Sequence, residues 1–282
     1  MPEAPAERLA SAAWVARFWQ VERSAPVPTA SGAIRLAAVG TIAPRAVASP
    51  RLAGVFGAVG VTLAASEALD GPDELFARPD WQLALVLSPF KQQVASHCQE
   101  LGPSATASGV VDTVIRANGR NVGLNTNTWA AQAALRALVG GDQVGEAVVL
   151  GTGSSTRSVV MALRREWPKA HVAILGRRPQ EVARLAGACG VEAWSAGRPR
   201  PRVVVNTTTY GETDESEQAP FSLDLEAVLG PGTGYFDLNN RVGALPRLAL
   251  AWGCTVMTGT FMQLTTDAIR ASLAQGALDA AR

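Results

Sequence analysis

The stretch Ala147-Val148-Val149-Leu150-Gly151-Thr152-Gly153-Ser154-Ser155-Thr156-Arg157 joins an apolar, β-prone run to a glycine pair and then to small polar residues that suit a helix start. A fold containing it must bury the run as a strand, turn sharply at Gly151 and begin a helix near Ser155. Gly151 permits the tight turn, and Gly153 lets the backbone approach phosphate oxygens. The helix start aims its unpaired N–H groups and positive dipole end at an anion, with Ser154, Ser155 and Arg157 beside it. A pyrophosphate, and hence a dinucleotide, is the ligand this pattern predicts. Thr156 stands where the full fingerprint has its third glycine, so the spacing alone is a weak signal.

The next strand, Ala170 to Leu175, strengthens it. That strand ends in Gly176-Arg177-Arg178, where the adenosine ribose would lie, and no carboxylate follows before Glu181. Two guanidinium groups match a ribose 2′-phosphate better than a free 2′-hydroxyl, so Arg177 and Arg178 predict NADP(H) as cofactor.

Composition bounds the partners. At 282 residues, with 48% hydrophobic and 17% charged, the chain is long enough for two domains. A net charge of +1, with no basic block or aromatic-basic stripe, predicts no nucleic-acid face and leaves small molecules as partners. Cys98, Cys189 and Cys254 are far apart, and His97 and His171 are the only histidines. Neither a disulfide framework nor a metal site is expected, and free thiols fit a cytoplasmic location. Glu3, Glu7, Arg8 and Arg17 interrupt the N-terminal stretch, which does not read as a secretory signal, and no apolar run approaches the roughly 20 residues that would cross a membrane.

Along the chain, a helix is predicted over about Ala6 to Val21, then strands at Leu36–Gly40, Val61–Ala65 and Trp81–Leu87, with a helix over Pro50–Val59. Lys91 to Leu101 reads as a helix. Asp112–Arg116 and Asn121–Leu124 read as strands about an Asn118-Gly119 turn, followed by a helix over Thr128–Val139. Beyond the dinucleotide unit come strands at Arg202–Asn206 and Gly234–Leu238 and a last helix over Met262–Ala274. Such alternation predicts parallel sheets covered on both faces, with a cleft between two of them. Asn206, Thr207 and Thr208 would form the loop passing near the nicotinamide.

Several segments together resemble the shikimate dehydrogenase family: Gly40 through Ser49-Pro50, Val86-Leu87-Ser88-Pro89-Phe90-Lys91, Gly109-Val110-Val111-Asp112-Thr113, Gly123-Leu124-Asn125-Thr126-Asn127, the Gly151 loop, Val205-Asn206-Thr207-Thr208, and Gly253 with Gly259 and Met262. The resemblance implies an α/β fold: an N-terminal three-layer α/β substrate domain plus a Rossmann-like NADP-binding domain, the last helix returning to the first domain. Residues 1–34 would be an N-terminal extension, 35–139 with 258–282 the substrate domain, and 140–257 the NADP domain. It also implies reversible hydride transfer between NADP(H) and a ring carbon of a cyclic hydroxy acid such as shikimate or quinate, with Gly259 near the cofactor, and leaves a monomer or a homodimer open.

The chain departs from the family pattern at informative positions. Leu85, Val86 and Leu87 replace Asn, Val and Thr; only Ser49 remains of a Ser-x-Ser; Asp112 and Asn127 stand where the family has Asn and Asp; Asn240 stands for Tyr, and Thr266 takes the place of Gln. Lost hydrogen-bond partners of substrate hydroxyls cost about 1–3 kcal/mol each in a closed site, which predicts a related cyclic polyol carboxylate over shikimate itself. Lys91 is the expected proton shuttle, oriented by Asp112, with Ser49, Asn127, Asn240 and Thr266 toward the substrate. The alternative is a regulator of the same fold that binds NADP(H) without catalysis, as would follow if the substrate side had drifted.

Overall fold

The structure, a computed structural model, describes residues 5–22, 33–117 and 119–279. It divides into two compact units, Met1–Trp129 with Leu264–Arg282, and Ala130–Gln263.

The first unit runs α1 (Pro5–Val21), β1 (Ala33–Val39), α2 (Ala43–Val47), α3 (Pro50–Ala58), β2 (Thr62–Leu69), α4 (Pro72–Ala77), β3 (Leu83–Val86), a 3₁₀ turn (Gln93–His97), β4 (Glu100–Leu101), α5 (Pro103–Ser108), β5 (Thr113–Ala117), β6 (Arg120–Leu124) and the start of α6 (Thr126–Val139). Helices α2 to α5 each carry a proline in their first turn, where its missing N–H has no partner to lose. The sheet order is β2-β1-β3-β5-β6-β4. Strand β5 runs antiparallel to both β3 and β6, so this sheet is mixed, which corrects the expectation of parallel sheets throughout. A second correction concerns residues 91–101, where the expected helix gives way to a turn, the 3₁₀ segment and β4. Here Gln99 donates its N–H to Asn121 O, and Cys98 and Leu101 crowd the position a Cβ would take on Gly123. Pairing with β6 outweighs the weak helical preference of this polar segment.

Helix α1 is built into this unit. Phe18 is fully buried, edge-on to Trp129 at 6.1 Å between ring centres, and Trp19 Nε1 donates to Ser272 Oγ at 3.1 Å. Just past the helix, buried Glu22 accepts the Ser104 N–H at 3.1 Å and Trp129 Nε1–H at 3.2 Å.

The second unit holds the rest of α6, β7 (Glu146–Leu150), α7 (Ser154–Glu166), β8 (His171–Leu175), α8 (Pro179–Cys189), β9 (Glu192–Ala193), β10 (Val203–Asn206), β11 (Gly234–Asp237), α9 (Ala244–Ala251), β12 (Thr255–Met257) and the start of α10 (Thr260–Asp279). All of its strands are parallel, in the order β12-β11-β10-β7-β8-β9. Alternation along the strands sends Ala147, Val149, Val203 and Val205 into one core with α6, α7 and α8. Val148, Leu150 and Val204 enter another with α9. This doubly wound order reverses direction between β7 and β10, and ligands bind at the carboxyl ends of strands flanking such a reversal. No helix among the described residues is long and apolar enough to cross a membrane.

Candidate active site

At the end of β7, Gly151 adopts φ +116°, and a Cβ there would stand 2.8 Å from Thr207 Oγ1 and 3.1 Å from Thr208 Cγ2. Glycine is required on both counts. Thr207 is pinned in turn, because its N–H and its hydroxyl both donate to Leu150 O, at 2.9 and 2.7 Å. Thr156, the residue in the third glycine's place, contacts the same hydroxyl at 2.8 Å and ties α7 to this loop. Gly153, the N-cap of α7, has no atom within 4 Å of an added Cβ, so its backbone is open to a ligand.

A cavity of about 410 Å³ opens here, walled by Gly151–Gly153, Gly176–Arg178, Thr207–Tyr210, Ser216 and residues 219–223. Arg177 and Arg178 stand exposed at its edge. Arg178 pairs with Glu181 at 2.7 Å, and Glu181 also accepts the Thr152 hydroxyl at 3.2 Å. Open backbone at Gly153 and two guanidiniums on the rim fit a dinucleotide carrying an additional phosphate.

Gly151, Gly153, Arg177, Arg178, Thr207 and Thr208 thus share one cavity, whereas Ser154, Ser155, Arg157, Asn206 and Gly259 do not line it. The reasons are local. Arg157 lies close enough to Cys189, at the end of α8, to lower that thiol's pKa against the larger rise from burial, and its own Nε is buried without a hydrogen-bond partner among the described residues. Asn206 is buried beneath the loop: its Oδ1 accepts from Thr208 N and Oγ1 at 3.1 and 2.7 Å, and its Nδ2 donates to Asp237 at 3.1 Å. Asp237, which also accepts the Tyr235 hydroxyl at 2.9 Å, has its pKa raised by burial, against opposing hydrogen bonds from Asn239 and Asn206. At Gly259 a Cβ would collide with Leu238 O, so this glycine serves close packing behind β11. Asn240 is exposed in the same unit and donates to Gln263 Oε1.

The other polar group belongs to the first unit. Lys91 follows β3 in a turn whose carbonyl accepts the Val111 N–H at 2.8 Å, and its side chain is only 6% exposed. Burial lowers its pKa, the Asp112 carboxylate opposes that, and Arg270 reinforces it. Among the described residues no carboxylate comes within ion-pair distance of Lys91. Asp112 therefore does not grip the lysine as expected, because its oxygens are spent elsewhere. They accept Thr126 N at 3.0 Å, Thr126 Oγ1 at 2.5 Å, Asn127 N at 2.7 Å and Thr113 Oγ1 at 2.8 Å. A buried carboxylate at a helix start collects the unpaired N–H groups there. Asp112 acts on Lys91 through its field.

Asn127 accepts the Thr266 hydroxyl at 3.4 Å, which brings these two predicted residues together. Ser49 is the half-buried N-cap of α3, and its hydroxyl caps no backbone group. Sequence reasoning missed Arg51, Asp267 and Arg270. Asp267 is 2% exposed; it accepts from Arg51 Nη1 at 2.5 Å and lies 3.5 Å from Arg270 Nη1. Arg270 goes on to Thr113 Oγ1 and the Asp112 carbonyl, each at 2.9 Å. Two charges three residues apart within the apolar α10 pattern were the available signal.

A doubly wound sheet with a glycine turn at its switch point, opening on an arginine-rimmed cavity, is the arrangement of a dinucleotide-binding domain. A scan against protein-family models finds no match. Curated relatives do match: the NADP(+) shikimate dehydrogenase of an Exiguobacterium species is 30% identical over 208 residues, 70% of this chain and 76% of that one. The corresponding Thermus thermophilus enzyme is 34% identical over 148 residues, 52% of this chain and 53% of its own. A solved shikimate 5-dehydrogenase from Thermus thermophilus, in complex with NADP(H) and shikimate, superposes with a TM-score of 0.71 at 27% identity, covering 88% of this chain and all of that one. The chain belongs to the shikimate dehydrogenase family.

Proposed function

We propose that this protein reversibly transfers a hydride between NADP(H) and a ring carbon of a hydroxylated cyclic carboxylate, shikimate or a close analogue, with Lys91 moving the proton. The observation that carries this is Lys91 itself, an amine 6% exposed, with a lowered pKa and no carboxylate clamped onto it. Such a group exchanges a proton near neutral pH more readily than a solvated lysine does.

NADP(H), when bound, supplies the hydride acceptor or donor. The Gly151 turn, Gly153, Thr207 and Thr208 would hold its pyrophosphate side, and Arg177 and Arg178 the 2′-phosphate. In reduction the Lys91 ammonium donates its proton to the carbonyl oxygen as that oxygen gains negative charge. In oxidation the neutral amine takes the proton from the alcohol. Asp112 stabilises the charged lysine from a fixed position, and Asn127, oriented by Thr266, retains its Nδ2 donors for a substrate hydroxyl. Leu85 and Leu87 leave fewer polar partners than the family pattern, which favours a ring with fewer or relocated hydroxyls. Free Cys98, Cys189 and Cys254, with the Cys98 thiol pushed up to about 12 by burial, suit a reducing compartment such as the cytoplasm.

The test is absorbance of the reduced nicotinamide when purified protein meets NADP+ with shikimate, quinate and deoxygenated analogues. Turnover of at least one ring acid is expected. NADP(H) binding with no turnover of any of them would contradict the proposal.

A further inference from the structure

Arg51 sits two residues after Ser49, the serine that remains, and four after Val47, where the family's first serine has been lost, and its guanidinium is only partly used. Nη1 binds Asp267, while Nε and Nη2 meet no acceptor among the described residues, and the side chain is 30% exposed. Asp267 cannot drift, because Arg270 lies on its other oxygen and the residue is almost wholly buried. Arg51 is thereby aimed in advance, with much of its rotamer entropy already lost and one edge of its fork unspent.

Charge points the same way. Arg51, Asp267, Arg270 and Asp112 alternate in sign along a ladder whose last carboxylate acts on Lys91. With Lys91 protonated, three cations face two carboxylates, so the group carries one uncompensated positive charge in largely buried surroundings. An anion would neutralise it.

We propose that Arg51 is the residue that selects a carboxylate on the substrate ring, replacing with a charged, one-sided fork the hydroxyl lost from the Ser-x-Ser segment. This rests on the reading that the Lys91 site takes a cyclic hydroxy acid. Asp267 is the positioning residue for the fork, and Thr266, its neighbour on α10, holds Asn127, so one helix sets both the carboxylate anchor and a hydroxyl contact.

Equilibrium binding of shikimate and of its primary amide, measured calorimetrically on wild type, Arg51→Gln and Arg51→Lys, tests the assignment. Wild type should prefer the acid by about 10-fold or more, as a charge-assisted fork contact supplies. Arg51→Gln should abolish that preference without weakening the amide, and Arg51→Lys should keep part of it. Because Arg51→Gln leaves Asp267 with Arg270 alone, Arg51→Gln with Asp267→Asn serves as a charge-balanced second variant and should behave like the single one. A preference that survives in both, equal weakening of acid and amide, or a wild type that does not distinguish them overturns the proposal. Turnover with NADP+ is the separate arm. A wild type that oxidises the acid yet ignores the difference sinks the anchor alone, and one that discriminates without turnover sinks the proposed activity alone.

Discussion

Asp112 accepts the backbone N–H of Asn127 at 2.7 Å, so the carboxylate nearest in effect to Lys91 is also the anchor of the first turn of α6. Its geometry is therefore set by a helix terminus rather than by the lysine. Asp112→Ala should cost about 3 kcal/mol, because it strands the N–H groups of Thr126 and Asn127 and takes an acceptor from the buried Thr126 hydroxyl, while Arg270 keeps Asp267 and Thr113. Asp112→Asn, which keeps one acceptor, should cost about half of that. Denaturant unfolding measures both, and equal losses would mean that a neutral acceptor contributes nothing and the charge carries the whole effect.

Lys91 couples this anchor to chemistry. Oxidation needs the neutral amine, so kcat/KM for the alcohol should rise with pH and level off below the ordinary lysine value of 10.5. Asp112 raises the lysine pKa, so Asp112→Asn should move that limb to lower pH; an upward move would contradict the assignment. Lys91→Met should reduce kcat by about 10²- to 10⁴-fold with NADP+ affinity unchanged.

The same shift has a sign in stability. A lysine with a lowered folded pKa binds fewer protons folded than unfolded between that pKa and 10.5, so unfolding free energy rises with pH across this window. Lys91→Met removes the buried charge. Thermal melts should show it stabilised at neutral pH, with a flatter rise toward alkaline pH than wild type.

Gly151→Ala forces a Cβ to within 2.8 Å of the pinned Thr207 hydroxyl at a φ of +116°. The expected result is a loss of about 1–3 kcal/mol in stability and at least about 10-fold in NADP+ affinity, read by quenching of tryptophan fluorescence. Gly153→Ala has open space around its Cβ, so the protein should keep its stability while cofactor affinity falls.

Arg177→Ala with Arg178→Ala should weaken NADP+ by about 10- to 100-fold and leave NAD+ nearly untouched. Glu181→Gln releases Arg178 from its 2.7 Å partner and should shift the preference further toward NADP+. Dissociation constants for both cofactors decide this, and an NAD+ loss as large as the NADP+ loss would move the arginines away from the 2′-phosphate.

Much of the dinucleotide unit was readable in the chain because its information is local. A buried strand run, a glycine turn and a helix start lie within a few consecutive residues, and Gly151 to Arg178 spans one strand-helix-strand step. The 91–101 segment was misjudged because β4 exists only through its pairing with β6, some twenty residues further on. Arg157 lies near Cys189 and not on the cavity wall because the first turn of α7 offers several directions, and periodicity alone does not say which neighbour a given position meets.

The class of fold, the alternation of elements and the residue types that stand ready for acid–base and phosphate chemistry all follow from the order of residues along the chain. Lys91, Asp112 and Asn127 were visible there as such. Folding in three dimensions was needed to commit the Asp112 oxygens to α6 and Thr113, and to bring Asp267 and Arg270, from the far end of the chain, into one charged ladder with Arg51. Burial and hydrogen-bond partnership belong to pairs of distant segments, and no stretch of sequence carries them before the chain has folded.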